Sequence, residues 1–250
     1  MQVRDDAPGA VFHVTGRVNW QVWHLKTPAR AHVFFSALEK YAALFSIVVV
    51  AVVLMSNHYH LVLLSPDEER FRELTGRRTS CRHFRPWPAK HLKSSVLSQM
   101  MQRLLYVVSR TIHEELGVSG QFWQGPFHAT RLHRAGDLVV RIAYDHRNPV
   151  RAGMVLRPED YPWSSAAWWA GAGPAPIPVA TNERLPFGLS LNELRADVAE
   201  YQGNRRLDDA ILALRKQHTD WRDLDDEELR RWLSESGLPP LDSDAGAAAH

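Results

Sequence analysis

The hydrophobic pattern divides the first two thirds of the chain into short elements and loses that regularity afterwards. Val11 to Val18, with Gly16 near its end, reads as a first strand. Arg30 to Leu44 sets Val33, Phe34, Leu38, Tyr41 and Ala42 at helical spacing. Phe45 to Leu54 and His58 to Leu64 are strand-like, joined by a turn at Ser56-Asn57. The valine-rich stretch before that turn reads as a buried strand. From Ser65 to His91 the chain is polar and basic and holds Pro66, Pro86 and Pro88, the pattern of a long loop with a short helix near Asp67 to Leu74. Lys93 to Leu116 is a long amphipathic helix closed by Gly117. Gly120 to Phe127 is a turn-rich linker, and His128 to Leu132 a fourth strand. A helix follows over Ala135 to Arg147, with Asp137 near its N-terminus. Pro149 disfavours helical geometry at the residue before it, so Asn148 is expected at the last helical position or just beyond.

The order β-α-β-β-α-β-α predicts an α+β domain of ferredoxin-like type: a mainly antiparallel sheet with helices packed on one face. The composition changes after Trp169, where Ala170-Gly171-Ala172-Gly173-Pro174 has linker character. The expected organisation is a main folded domain over 1–169, a linker over 170–188, a small helical tail over 189–241 and disorder over 242–250.

Composition narrows the class. With 45% hydrophobic and 23% charged residues, the 250-residue chain reads as an ordinary globular protein. Its single cysteine, Cys81, excludes an intramolecular disulfide and a thiolate zinc cluster, as suits a cytoplasmic protein. No secretory signal is visible, and Ala42 to Leu54 is too short to span a bilayer. The net charge of +2 hides an asymmetry: residues 1–167 carry +8 and residues 168–250 carry −6. Arg72, Arg77, Arg78, Arg82, Arg85, Lys90 and Lys93 crowd one stretch, which points to a polyanionic partner or to a solvated surface loop.

The candidate chemistry begins at Met55-Ser56-Asn57-His58-Tyr59-His60-Leu61-Val62-Leu63. On a strand, side chains alternate between faces, so His58 and His60 point one way and Tyr59 the other. Two neutral imidazoles on one face can hold a divalent metal, although a half-exposed surface strand gives the same pattern. Downstream, Tyr144-Asp145-His146-Arg147-Asn148-Pro149 offers a candidate nucleophile and a third ligand.

Five segments occur in order: His13-Val14-Thr15-Gly16-Arg17, Met55 to Val62, Phe122-Trp123-Gln124-Gly125, Tyr144 to Gly153, and Tyr161-Pro162-Trp163-Ser164-Ser165. Together they resemble the HUH single-tyrosine transposases, in particular the REP-associated tyrosine transposases, over roughly residues 10 to 169. The resemblance implies a ferredoxin-like domain that cleaves and rejoins single-stranded DNA at palindromic hairpins, as a monomer or homodimer. It implies Tyr144 as nucleophile and His58, His60 and Asn148 as ligands of Mg²⁺ or Mn²⁺, with a 5′-phosphotyrosine intermediate. DNA contacts are expected from Arg17 and from Arg77, Arg78, Arg82, Arg85, Lys90 and Lys93. Two departures stand out. Asp145 occupies a position where isoleucine is usual, and Pro126 follows Gln124-Gly125 where arginine is common. They keep open the alternative of a domesticated single-stranded DNA-binding protein that no longer cuts.

Each assignment has a plainer counterpart. Tyr41 and Tyr106 suit apolar helix faces, and Tyr161 suits packing beside Pro162 and Trp163. Asn148 suits a helix C-terminal cap. Asp145 and His146 are expected to point away from Tyr144, and His13, His128 and His133 are read as structural. Most tryptophans are read as packing residues rather than platforms for unpaired bases.

Overall fold

The protein is described by a computed structural model covering residues 6–22, 24–76, 95–181 and 185–203. Strand β1 (Val11–Arg17) leads through α1 (Pro28–Leu44) to β2 (Val48–Leu54) and β3 (His58–Leu64). Helices α2 (Glu68–Gly76) and α3 (Val96–Leu116) precede β4 (His128–Leu132), and α4 (Ala135–Arg151), α5 (Ala166–Trp169) and α6 (Leu191–Gly203) follow. The strands form one sheet in the order β2-β3-β1-β4, and every neighbouring pair is antiparallel. This is the α+β, ferredoxin-like arrangement that the element order predicted.

Local signals explain the helix ends. Thr27 caps α1 by accepting from the Arg30 amide, with Pro28 in the first turn. Ser95 caps α3 through the Ser98 amide. Gly117 ends α3 at φ 63°, a left-handed conformation that glycine adopts without steric cost.

Helices cover both faces of the sheet, more than the expected single face. Phe12, Val14, Leu61 and Leu63 pack against Phe34 and Leu38 of α1 and Met100, Met101, Leu104 and Val108 of α3. The opposite residues of the same strands, Val11, Val62 and Leu64, pack against Leu138, Val139, Ile142 and Ala143 of α4. Ala180 and, on α6, Leu194 and Val198 join this second cluster. The double cover explains why all seven residues of β2 are buried.

The Tyr161 to Ser165 motif covers the outer edge of β2. Leu54 donates its amide to the Trp163 carbonyl at 2.8 Å, and Ser165 donates its amide to Val52 at 2.9 Å. The Ser165 hydroxyl accepts from the Val52 amide at 3.0 Å. Unpaired edge groups are thereby satisfied and hidden from other chains. The Phe122 to Gln124 motif docks beyond the far end of β1, where Asn19 donates to the Phe122 carbonyl and Gln124 donates to the Arg17 carbonyl.

Proline does not end α4 as expected. The helix runs through Pro149 to Arg151, and Ala152 is its cap. Only two helical residues follow the proline, so the missing amide costs a single intrahelical bond while Pro149 and Val150 remain buried. Asn148 therefore lies inside the last turn, and the capping role considered for it does not apply.

Candidate functional site

Strand alternation delivers the two imidazoles as the sequence required. His58 and His60 share a face with ring centroids 5.2 Å apart. Tyr59 lies on the opposite face, fully buried beneath α1 and α3. Its ring crowds Gly16 so closely that a Cβ there would overlap the phenol. Burial raises the Tyr59 hydroxyl far above its ordinary pKa. Tyr59 is thus a packing residue, not a nucleophile.

The register of β1 on β3 sets Arg17 opposite His58 and Thr15 opposite His60. A cleft of about 360 Å³ opens there, lined by Thr15, Arg17, His58, His60, Gln124 and His128 among others. Burial, followed by the charges of His60 and Arg17, pushes His58 down to about 4. It is therefore neutral at physiological pH, the form that binds a metal. The His58 Nδ1 lies 2.7 Å from Asn57 Oδ1. An amide oxygen only accepts, so Nδ1 carries the proton and Nε2 keeps its lone pair.

Beneath this cleft a cluster appears that sequence reasoning did not assemble. His13 and His60 stack with ring centroids 5.6 Å apart. Asp145 reaches both from α4: Oδ1 is 3.2 Å from His60 Nδ1 and Oδ2 is 3.2 Å from His13 Nε2. The two ring nitrogens are 3.4 Å apart. Neither carboxylate contact has the alignment of a good hydrogen bond, although both are close enough for strong electrostatic attraction. Burial opposes the charge on Asp145, yet the two imidazoles outweigh it and hold the carboxyl below its ordinary value. Burial in turn lowers His13. One His, one His and one Asp at this separation form a group able to hold a cation.

His13, read from sequence as structural, is thus part of the candidate site. Its parity with Thr15 and Arg17 was visible on β1. The register that sets it diagonal to His60 was not. Asp145 does point away from Tyr144, as expected, and the isoleucine-to-aspartate departure acquires a partner.

The remaining residues divide. Tyr144 lies on the outer face of α4, 38% exposed. The Arg141 and Arg151 guanidinium groups lie over its ring, 5.5 and 5.1 Å from the centroid. It does not line the cleft with His58 and His60. Asn148, four residues on, is half-buried, and its Nδ2 is buried with no protein partner. His146 points into the core, fully buried, with Nε2 2.9 Å from the Ser165 hydroxyl. Burial pushes it down to about 4.

Other tyrosines are accounted for. Tyr161 donates its hydroxyl to the Leu54 carbonyl at 2.8 Å, and burial pushes it up to about 12. Tyr106, expected on an apolar face, is instead 60% exposed and borders a second groove of about 760 Å³. The face of α3 that carries it turns away from the sheet. Of the basic stretch, Arg72 pairs with Glu68. Arg77, Arg78, Arg82, Arg85, Lys90 and Lys93 lie outside the described residues.

Among the described residues no helix is long and apolar enough to cross a membrane. No family model and no curated protein matches the chain. Among solved structures, a candidate transposase from Deinococcus radiodurans R1 is similar at 12% identity and a TM-score of 0.34, over 56% of this chain and 92% of that one. The chain is also similar, at 16% identity and a TM-score of 0.47, to a REP-associated tyrosine transposase solved bound to a REP hairpin, over 76% of this chain and 96% of that one.

Proposed function

We propose that this protein is a metal-dependent transposase that cuts and rejoins single-stranded DNA at palindromic hairpins through a 5′-phosphotyrosine intermediate. The observation that carries the reading is the His58–His60 pair on one face of β3, lining an open cleft opposite Arg17. The order of the five sequence motifs supports it. The donor set suits a divalent ion, because the cleft offers imidazole that is neutral at physiological pH. His58, His60 and Asn148 would hold Mg²⁺ or Mn²⁺, which supplies Lewis-acid stabilisation of the phosphate when bound.

The chain's own groups define the rest. Tyr144 is the nucleophile: its oxygen forms a bond to phosphorus as the bond to the 3′-oxygen breaks, and the phenolic proton ends on the released 3′-hydroxyl. Arg141 and Arg151 hold the ring and place positive charge where a scissile phosphate would approach. Arg17 receives a backbone phosphate across the cleft. Attack by another 3′-hydroxyl on the phosphotyrosine reverses the step and joins strands, so no energy-supplying cofactor is required.

The test is a denaturing gel with labelled hairpin DNA and Mn²⁺. The wild type should form a covalent adduct through a 5′ phosphate. EDTA and the His58→Ala,His60→Ala double variant should abolish it. DNA binding without any adduct would refute the enzyme reading and leave a non-cleaving binder.

A further inference from the structure

Two ring nitrogens and a buried carboxylate meet beneath the cleft, and that arrangement carries a consequence for the imidazole above it. The Asp145 carboxylate is 1% exposed. A lone pair on His60 Nδ1 would face its oxygen at 3.2 Å, two electron-rich atoms held together without water. Positive charge must stand between them. A proton on His60 Nδ1 satisfies this, and a second proton on His13 Nε2 satisfies the other oxygen at 3.2 Å. Each oxygen then has one N–H at 3.2 Å, an electrostatic contact short of a well-aligned hydrogen bond. The neighbouring imidazole is fixed in the same sense by a different group, since His58 Nδ1 donates to Asn57 Oδ1 at 2.7 Å.

The geometry points to Asp145 as the positioning residue of the site: with His13 beside it, the carboxylate holds His60 in the Nδ1–H tautomer, so that the bare Nε2 atoms of His58 and His60 are both offered to a divalent cation in the cleft. This rests on the reading of the two histidines as metal ligands. An N–H on the far side of a ligating imidazole fixes its orientation and raises its basicity, and losing such a partner typically costs about 10–100-fold in metal affinity. The carboxylate comes from α4, the helix that also bears Tyr144 and Asn148. The contact therefore ties the nucleophile-bearing helix to the metal-binding strand.

The test begins with ¹⁵N-labelled histidine in the metal-free, full-length protein, read by NMR. His60 should show a protonated Nδ1 and a bare Nε2. This measurement needs no variant. Finding the proton on Nε2 would overturn the proposal. In Asp145→Ala, checked for folding by circular dichroism, the tautomer preference should be lost and Mn²⁺ affinity by calorimetry should fall about 10–100-fold. Asp145→Asn, which retains one accepting oxygen, should fall less. An unchanged tautomer in a folded Asp145→Ala protein would also overturn it. So would Zn²⁺ or Mn²⁺ bound through His60 Nδ1, because the ion itself would then occupy the space among His13, His60 and Asp145. A His60 tautomer that follows Asp145 in a protein binding no divalent ion would uphold the positioning role and defeat the metal-dependent reading instead.

Discussion

Asp145 and His146 are consecutive, buried and polar, yet α4 sends them to unlike surroundings. Asp145 contacts two imidazoles, one of which lines an open cleft. His146 contacts Ser165, which is wholly buried and bonded to the backbone of β2. The first cluster connects to solvent through His60. The second is sealed among helix, strand and edge motif. Burial of a polar residue is therefore not what marks function here; the distinction is whether its network reaches a surface that a ligand can enter. The sealed cluster fastens α4 to β2, and the open one shapes the site.

The largest expected effect lies on the outer face of the same helix. Tyr144→Phe should reduce cleavage at least about a thousandfold, because the proposed mechanism takes its attacking oxygen from this hydroxyl. Stability, measured by urea denaturation, should change by no more than about 1 kcal/mol, since the exposed hydroxyl makes at most an ordinary hydrogen bond. Adduct formation by this variant and its loss in Tyr106→Phe would move the nucleophile to α3.

Next comes the sealed cluster. His146→Ala should cost about 2–4 kcal/mol through the cavity it leaves and the loss of its contact with the Ser165 hydroxyl, with Mn²⁺ affinity unchanged. A matching loss of metal affinity in the folded variant would erase the distinction between the clusters. Acid should separate them too. His146 is held near 4 against 6.5 when unfolded, so its contribution is present above pH 6.5 and is lost as pH falls towards 4. That loss amounts to about 3 kcal/mol at most. Denaturation midpoints across this range should fall less steeply in His146→Ala than in the wild type, although His58, also held near 4, retains part of the slope.

A smaller change probes the layer under the cleft. Gly16→Ala would press a methyl group onto the Tyr59 ring and should cost about 1–3 kcal/mol. Adding Tyr59→Phe should recover part of this, because the hydroxyl is the nearest obstacle. Additive losses in the double-mutant cycle would mean that the ring moves aside. The smallest expected effect belongs to Arg17→Ala. Hairpin binding should weaken modestly for all sequences, and the salt dependence of log K should become shallower by about 0.7–0.9, one phosphate contact. An unchanged slope would exclude Arg17 from the backbone path.

Much of this was written along the chain. Strand alternation alone put His58 and His60 on one face and Tyr59 on the other, because the side-chain period of two needs no tertiary information. The Gly117 stop of α3, the valine run of β2 and the β-α-β-β-α-β order were likewise local signals, and they determined the sheet. What they could not specify was anything that depends on register or on which helix lies across which face. His13 meets His60 only because β1 pairs with β3 in one register, and a slip of one residue would send it to the other face. Asp145 meets them only because α4 crosses the second face of the sheet, its apolar stripe burying against Val62 and Leu64. Pro149 misled for a related reason: a local preference for ending the helix yielded to the burial of Pro149 and Val150. The sequence by itself settled the pair of histidines; the tertiary structure alone decided that a carboxylate from a residue 85 positions beyond His60 would stand behind one of them.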